Sequence, residues 1–197
     1  IELDPNFSRA YNNRGRLKAK LGDDQGAVSD YTKAITLRPD FAEAWYNRGR
    51  SKNALDDIQG SIDDDSKAIE LKRDFPQAYY GRALSRSRLG DNRGSIADFT
   101  RAIELRPGYA EAFYGRGLCR GKFGDINGAI ADYSKAIDLR SDFVAAYYSR
   151  GKLKRGSGQM SEALADFSKT IELMPNSAEA YCSRGSLKDA LEDIKGA

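Results

Sequence analysis

FAEAWYNRG at residues 41–49, YAEAFYGRG at 109–117 and SAEAYCSRG at 177–185 are one phrase written three times. DYTKAITLRP at 30–39, DFTRAIELRP at 98–107 and DYSKAIDLR at 132–140 are a second. Copies recur at 34 residues or a multiple of it, the mark of a repeat array rather than of one closed core. With Ser8 as register position 1, full repeats run 8–41, 42–75, 76–109, 110–143 and 144–177, after the end of another at 1–7 and before a partial one at 178–197. Within a repeat two apolar patterns of helical spacing are split by Gly-Asp, as at Leu21-Gly22-Asp23, Leu89-Gly90-Asp91 and Phe123-Gly124-Asp125. The glycine ends a first helix, A, and the aspartate caps a second, B. Pro39, Pro107 and Pro175 are expected to stop helix B, since proline lacks an amide donor. Each repeat is therefore an all-α hairpin.

Composition narrows the chemistry. The 197 residues contain no histidine and two cysteines, which removes the commonest general base and any four-thiolate metal site. No catalytic constellation is expected, and no cofactor. The 32 basic and 29 acidic residues leave a net charge of +3, so bulk charge gives no strong pull toward nucleic acid. No apolar run reaches 18 residues, so no membrane partner is expected. Cys119 and Cys182 lie two repeats apart and are expected to be free thiols, which fits a reducing, cytoplasmic interior. The chain opens on Ile1 and stops at Ala197 in mid-repeat, and reads as a piece of something longer.

Small residues fall at position 8 (Gly15, Gly49, Ala83, Gly117, Gly151, Gly185), position 20 (Ala27, Ser61, Ala129, Ala163) and position 27 (Ala34, Ala68, Ala102, Ala136), where helices must approach closely. Aromatics fall at position 4 (Tyr11, Trp45, Tyr79, Phe113, Tyr147, Tyr181) and are expected to plug into the neighbouring helices. This spacing resembles the tetratricopeptide repeat family over essentially the whole chain. The resemblance implies an α-solenoid of stacked hairpins, a right-handed superhelix, whose A helices line a concave groove for an extended peptide or a partner's helix. Arginine at position 7 and lysine or arginine at position 11 depart from the family pattern.

Arg14, Arg48, Arg82, Arg116 and Arg150 form a row that would suit a ladder of carboxylate-gripping forks. Position 23 holds Asp30, Asp64, Asp98, Asp132 and Asp166, however, so each arginine has an aspartate of its own on the facing helix, and structural ion pairs are the favoured reading. The basic residues at position 11 are expected to lay their stems over apolar neighbours and reach water or a nearby aspartate.

Of 20 aromatic residues, positions 4, 24 and 34 absorb fifteen. Tyr46, Tyr80, Tyr114 and Tyr148, all at position 5, are not required by the core pattern. Family resemblance places them on the concave face with Asn12, Asn13, Arg16, Asn47, Arg50, Arg88 and Lys152. Tyrosine gives contact area with a polar handle, and the excess of basic residues there favours a partner segment carrying acidic residues. A packing row between A helices is the competing account of the tyrosines. Asn12, Arg16, Asn47, Gln77 and Gly81 do not reproduce the family's carboxylate clamp, so binding of chaperone tails is not expected.

Repeat 2 is the least regular, with Asp65 where an aromatic is expected and Asp56 in place of the loop glycine. Asp63-Asp64-Asp65 invites a cation-site reading, but neighbours on a helix point in different directions, and a drifted repeat with a local cavity or bound water near Asp65 is expected instead. The function these features favour is a non-catalytic protein-interaction scaffold; single-stranded RNA is the alternative ligand, disfavoured by the acids beside the basic rows. The terminal repeats are expected to expose faces that allow head-to-tail self-association, Ile1 and Leu3 of one copy docking near Leu187 and Leu191 of another.

Overall fold

The computed structural model describes residues 7–196, with side chains from 7 to 191. Ile1 and Leu3 lie outside the described residues. The chain divides into two compact units, Ile1–Pro107 and Gly108–Ala197. The first contains α1 (Ser8–Lys20), α2 (Asp24–Leu37), α3 (Ala42–Ala54), α4 (Ile58–Leu71), α5 (Pro76–Arg88) and α6 (Asn92–Leu105). The second contains α7 (Ala110–Lys122), α8 (Ile126–Leu139), α9 (Val144–Gly156), α10 (Met160–Leu173) and α11 (Ala178–Gly196). Odd-numbered helices are the A helices and even-numbered ones the B helices.

The turns follow from their residues. Gly22, Gly90, Gly124 and Gly158 take φ between 78° and 86°, the left-handed conformation that reverses the chain after helix A. Asp56 holds the same place at φ 66°, a strain that glycine would not carry. Asp23, Asp57, Asp91 and Asp125 then cap helix B by accepting from the amides of Gly26, Gly60, Gly94 and Gly128 at 2.8–2.9 Å.

Helix B ends at Leu37, Leu71, Leu105, Leu139 and Leu173, one register position throughout. Proline follows only three of these ends, so proline is not what stops the helix in repeats 2 and 4. The shared feature is an extended residue, Arg38, Lys72, Arg106, Arg140 or Met174, whose amide still bonds back to the helix. In three of these the cation lies over the aromatic three residues on, with Arg38 3.6 Å from the Phe41 ring centre, Arg140 3.6 Å from Phe143 and Lys72 5.0 Å from Phe75.

The core sits between A and B helices. Ala27, Ala34, Ala68, Ala102, Ala129, Ala136 and Ala163 are wholly buried, as are Ala44, Ala78, Ala112, Ala146 and Ala180 from the AEA-type openings of helix A. Tyr31, Phe99, Tyr133 and Phe167 at position 24 are the deepest rings, and burial pushes the Tyr31 phenol up to about 12. The position-4 aromatics pack onto the neighbouring helices as half-buried rings, Tyr11 and Trp45 against Ala34 and Ile35, Trp45 and Tyr79 against Ala68 and Ile69, and Phe113 and Tyr147 against Ala136 and Ile137, while Tyr181 is exposed. The ring from helix B already fills the space between the two helices of a hairpin. The position-4 ring is left at the seam, under the arginine three residues on, at 4.7–5.7 Å in all six cases.

The last helix departs from the hairpin pattern. Position 15 is Glu192 where other repeats carry the turn glycine or Asp56, and α11 runs on unbroken to Gly196. Leu187 is 2% exposed and packs with Ala163 and Phe167, and Leu191 packs against the same cluster. Leu187 is therefore an interior residue of the second unit rather than part of a free docking face, and Leu191 is half-buried beside it.

Candidate functional site

The charged rows have a fixed geometry. Arg14, Arg48, Arg82, Arg116 and Arg150 each donate through Nε and Nη2 to both oxygens of the aspartate sixteen residues on, at 2.6–2.9 Å. Lys18, Lys52, Arg86, Arg120 and Lys154 approach the same aspartates at 2.7–3.2 Å. Each buried carboxylate thus sits between two cations. The bond from Arg14 holds the Asp30 carboxyl below its ordinary range despite burial. A hydroxyl of the preceding helix B completes the forks of Arg48, Arg82 and Arg150, with Thr32 accepting from Arg48 at 3.1 Å, Ser66 from Arg82 at 3.1 Å and Ser134 from Arg150 at 2.9 Å. These hydroxyls form a register row that the sequence displays but that only the packing explains.

The A-helix face holds the remaining candidates. In the first unit Asn47 donates to Asn12 at 3.0 Å, so these amides bridge α1 and α3, while Asn13 is exposed. Arg88 is engaged as well, donating to the carbonyl and side chain of Asn53 at 3.1 and 2.9 Å and to Asp56 at 2.6 Å. That clamp braces the strained turn after α3. Arg16 and Arg50, by contrast, have no carboxylate partner among the described residues. They line a cleft of about 310 Å³ among α1, α2 and α3 with Lys20, Asp24, Tyr31, Asn47 and Ser51. A second cleft, of about 440 Å³, opens beside it among Asn12, Arg16, Glu43, Tyr46, Asn47, Arg50 and Gln77.

The position-5 tyrosines also belong to the packing. Tyr46 lies 5.1 Å from Phe75, Tyr80 5.6 Å from Phe99, Tyr114 4.9 Å from Phe143 and 5.6 Å from Tyr133, and Tyr148 5.8 Å from Phe167, centre to centre. They rest on rings of their own repeat, at positions 24 and 34. The register alone suggests they are dispensable to the core; they are its outer layer, with one edge left at the surface. Arg50 lies 5.9 Å from the Tyr46 ring centre and Lys152 5.7 Å from that of Tyr148, each a cation over a half-buried ring.

Repeat 2 lacks its core ring. Asp64 and Asp65 diverge as helical neighbours must, Asp64 toward Arg48 on α3 and Asp65 into the space between α3 and α5, its Oδ1 against Gly49 and its Oδ2 against Gly81, while Asp63 accepts from Gln59 on the surface. Asp65 is 1% exposed, and its Oδ1 has no hydrogen-bond partner. A pocket of about 140 Å³ stands beside it, lined by Arg50, Asn53, Ser61, Gly81, Leu84 and Ser85. Burial and the neighbouring Asp64 push the Asp65 carboxyl well above its ordinary range.

Stacked A/B hairpins with a capped turn and a small-residue seam define the α-solenoid class of interaction scaffolds. Profiles described as TPR repeat match residues 15–52 and 122–155, and one described as tetratricopeptide repeat matches 76–109, together more than half of the chain. The chain belongs to the tetratricopeptide repeat family. Among solved structures it is similar to the MamA protein, at 28% identity and a TM-score of 0.76 over 87% of this chain and 94% of that one. It is also similar to YrrB, described as a TPR protein with an unusual peptide-binding site, at 20% identity and a TM-score of 0.77 over 94% and 95%. A third is TTC0263, a thermophilic TPR protein of Thermus thermophilus, at 20% identity and a TM-score of 0.67 over 91% and 98%. No curated protein sequence matches the chain. The fold is that of a protein-interaction scaffold with protein or peptide partners. Among the described residues no helix is long and apolar enough to cross a membrane.

Proposed function

We propose that the chain is a non-catalytic peptide receptor whose first unit takes an acidic segment of a partner protein into the clefts beside Arg16 and Arg50. One observation carries this reading: the basic residues at positions 7 and 11 of the five full repeats are held by internal aspartates, whereas Arg16 and Arg50 line open clefts without making an ion pair to the carboxylates in the walls, Asp24 and the Lys72-paired Glu43. A guanidinium fork beside a half-buried tyrosine edge and the Asn47 amide suits a carboxylate flanked by peptide backbone. In the second unit Tyr114, Tyr148 and Lys152 offer the same pairing of ring and cation. The internal pairing of the basic rows weighs against nucleic acid, which needs free cations along its backbone. The unusual peptide-binding site named for YrrB supports a peptide as the ligand class.

A peptide-library selection tests this on the native protein and on Arg16→Ala/Arg50→Ala, with circular dichroism to show both folded. Acidic sequences are expected from the native protein and not from the variant. Selection of the same peptides by both, or of no peptide by either, would overturn the proposal.

A further inference from the structure

We propose that the pocket enclosed by α3, α4 and α5 is a receptor for a primary ammonium group, with Asp65 as counter-ion, and that it takes a lysine side chain of the bound peptide. The other complete repeats place Tyr31, Phe99, Tyr133 and Phe167 at this register position, and each of those rings fills its hairpin. In repeat 2 the ring is replaced by a carboxylate, and about 140 Å³ is left open, well above the roughly 10–15 Å³ that one water needs. The space is polar. Ser61 and Ser85 hydroxyls stand 3.0 Å apart, so oxygen acceptors face the space from α4 and α5, while Asn53 of α3 donates to Ser85 at 2.7 Å and its own oxygen accepts from Arg88.

The acceptor geometry selects the head group. Asp65 Oδ1 is unpartnered, while Oδ2 lies only 2.7 Å from where a side chain at Gly81 would begin, in room that glycine alone leaves. A guanidinium fork needs both carboxylate oxygens in one plane, whereas an ammonium carries three donors on a point charge and can share them between one oxygen and nearby hydroxyls. Charge adds to this geometry. Asp64, directly before it, has Arg48 and Lys52 to itself at 2.7 and 3.0 Å, and Asp65 makes no ion pair among the described residues. Burial favours the protonated carboxyl while the pocket is empty, and an ammonium seated there takes the place of that proton.

Arg50 joins this pocket to the two clefts beside α3, so a segment whose acidic residue meets Arg50 can set a lysine a short step along into Asp65. That peptide assignment rests on the proposed function; the ammonium site does not. The test titrates n-butylammonium chloride, with n-butanol as the uncharged match, into the native protein, Asp65→Asn and Gly81→Ala, following backbone amide signals. The native protein should show saturable shifts at Gly81 and Ser85 with butylammonium, at least tenfold stronger than with butanol. Asp65→Asn should lose that binding at least tenfold, and so should Gly81→Ala, whose new methyl crowds Oδ2; the second variant decides the matter if the first does not fold. No saturable shift, equal binding of butanol, or undiminished binding by the folded variants would overturn the site. Because the acidic-peptide reading is measured separately through Arg16 and Arg50, its failure is distinguishable from this one. Replacing lysine by norleucine in the selected peptide should weaken native binding at least tenfold and leave Asp65→Asn unaffected, and equal weakening of both would contradict the lysine assignment.

Discussion

Asp64 and Asp65 are adjacent on one helix and live in opposite electrostatic environments. Asp64 accepts from Arg48 at 2.7 and 2.8 Å and faces Lys52 at 3.0 Å, while the next carboxylate, as deeply buried, has an oxygen with no partner. A turn of about 100° between helical neighbours separates the scaffold's recurring ion pair from the core position where repeat 2 lacks its ring. The contrast sets the sign of several measurable effects.

Putting a ring back in place of the Asp65 carboxylate should restore an ordinary repeat. Asp65→Phe is expected to raise stability by about 2 kcal/mol, because an aromatic side chain fills the space and an unpartnered buried charge is removed. Urea denaturation against the native protein checks it, and a loss of stability would show that the space cannot take a ring.

The recurring pair behaves the other way. Arg116→Ala leaves Asp132 with Arg120 alone, at 2.9 Å. Breaking a buried pair costs about 3–5 kcal/mol, and the remaining cation places the expected loss near the lower end, about 3 kcal/mol. Arg116→Lys should recover only part of it, since an ammonium cannot donate the parallel pair of bonds at 2.9 and 2.7 Å. Denaturation midpoints of the three proteins give the comparison.

The two kinds of aspartate also predict opposite slopes of stability with pH. The Asp65 carboxyl is raised by burial and by Asp64, with Arg50 and Arg82 opposing and Asp98 adding to the shift. The folded state therefore binds its proton more tightly than the unfolded chain, and stability falls as pH rises from about 4 through the folded pKa. Asp65→Asn should remove that decline. The Asp30 carboxyl is lowered by Arg14, so its contribution is present above about pH 4 and is lost as pH falls through the folded pKa. Asp30→Asn should lose stability at neutral pH and flatten the acid limb. Denaturant midpoints from about pH 3 to 8 separate the two.

Two glycines of α7 provide a packing test with its own control. A methyl at Gly117 would stand 2.7 Å from Cε1 of Tyr133 and 3.3 Å from the Ala129 carbonyl, whereas one at Gly121 meets nothing nearer than 3.8 Å. Both changes gain up to about 1 kcal/mol of helix propensity. Gly121→Ala should keep that gain, and Gly117→Ala should instead lose about 1–3 kcal/mol to overpacking. Equal effects of the two would mean that the seam is looser than its distances.

The repeat, the turn glycines, the caps and the hairpin order are readable in the sequence because each depends on residues within one 34-residue period. The spacing of sixteen from each Arg to its Asp is readable for the same reason. What resists reading depends on which side chain reaches a shared space first. Tyr133 occupies the interior of its hairpin and leaves Phe113 at the seam, a competition invisible in two aromatic rows of equal weight. Arg88, which pattern alone assigns to the binding face, is drawn to Asp56 because that turn lacks its glycine. The space at Asp65 is visible only as a missing ring; that its oxygen is orphaned and its wall is Gly81 needs the packing of three helices.

The central claim is that Arg50 reads a carboxylate on a partner peptide, and a charge swap tests it most directly. Isothermal titration would compare a selected acidic peptide and its counterpart with the acidic residue changed to lysine, each against the native protein and Arg50→Glu. The expected result is a crossed pattern, in which the variant loses at least tenfold for the acidic peptide and gains for the lysine one. Equal affinity of native and variant proteins for both peptides would contradict it.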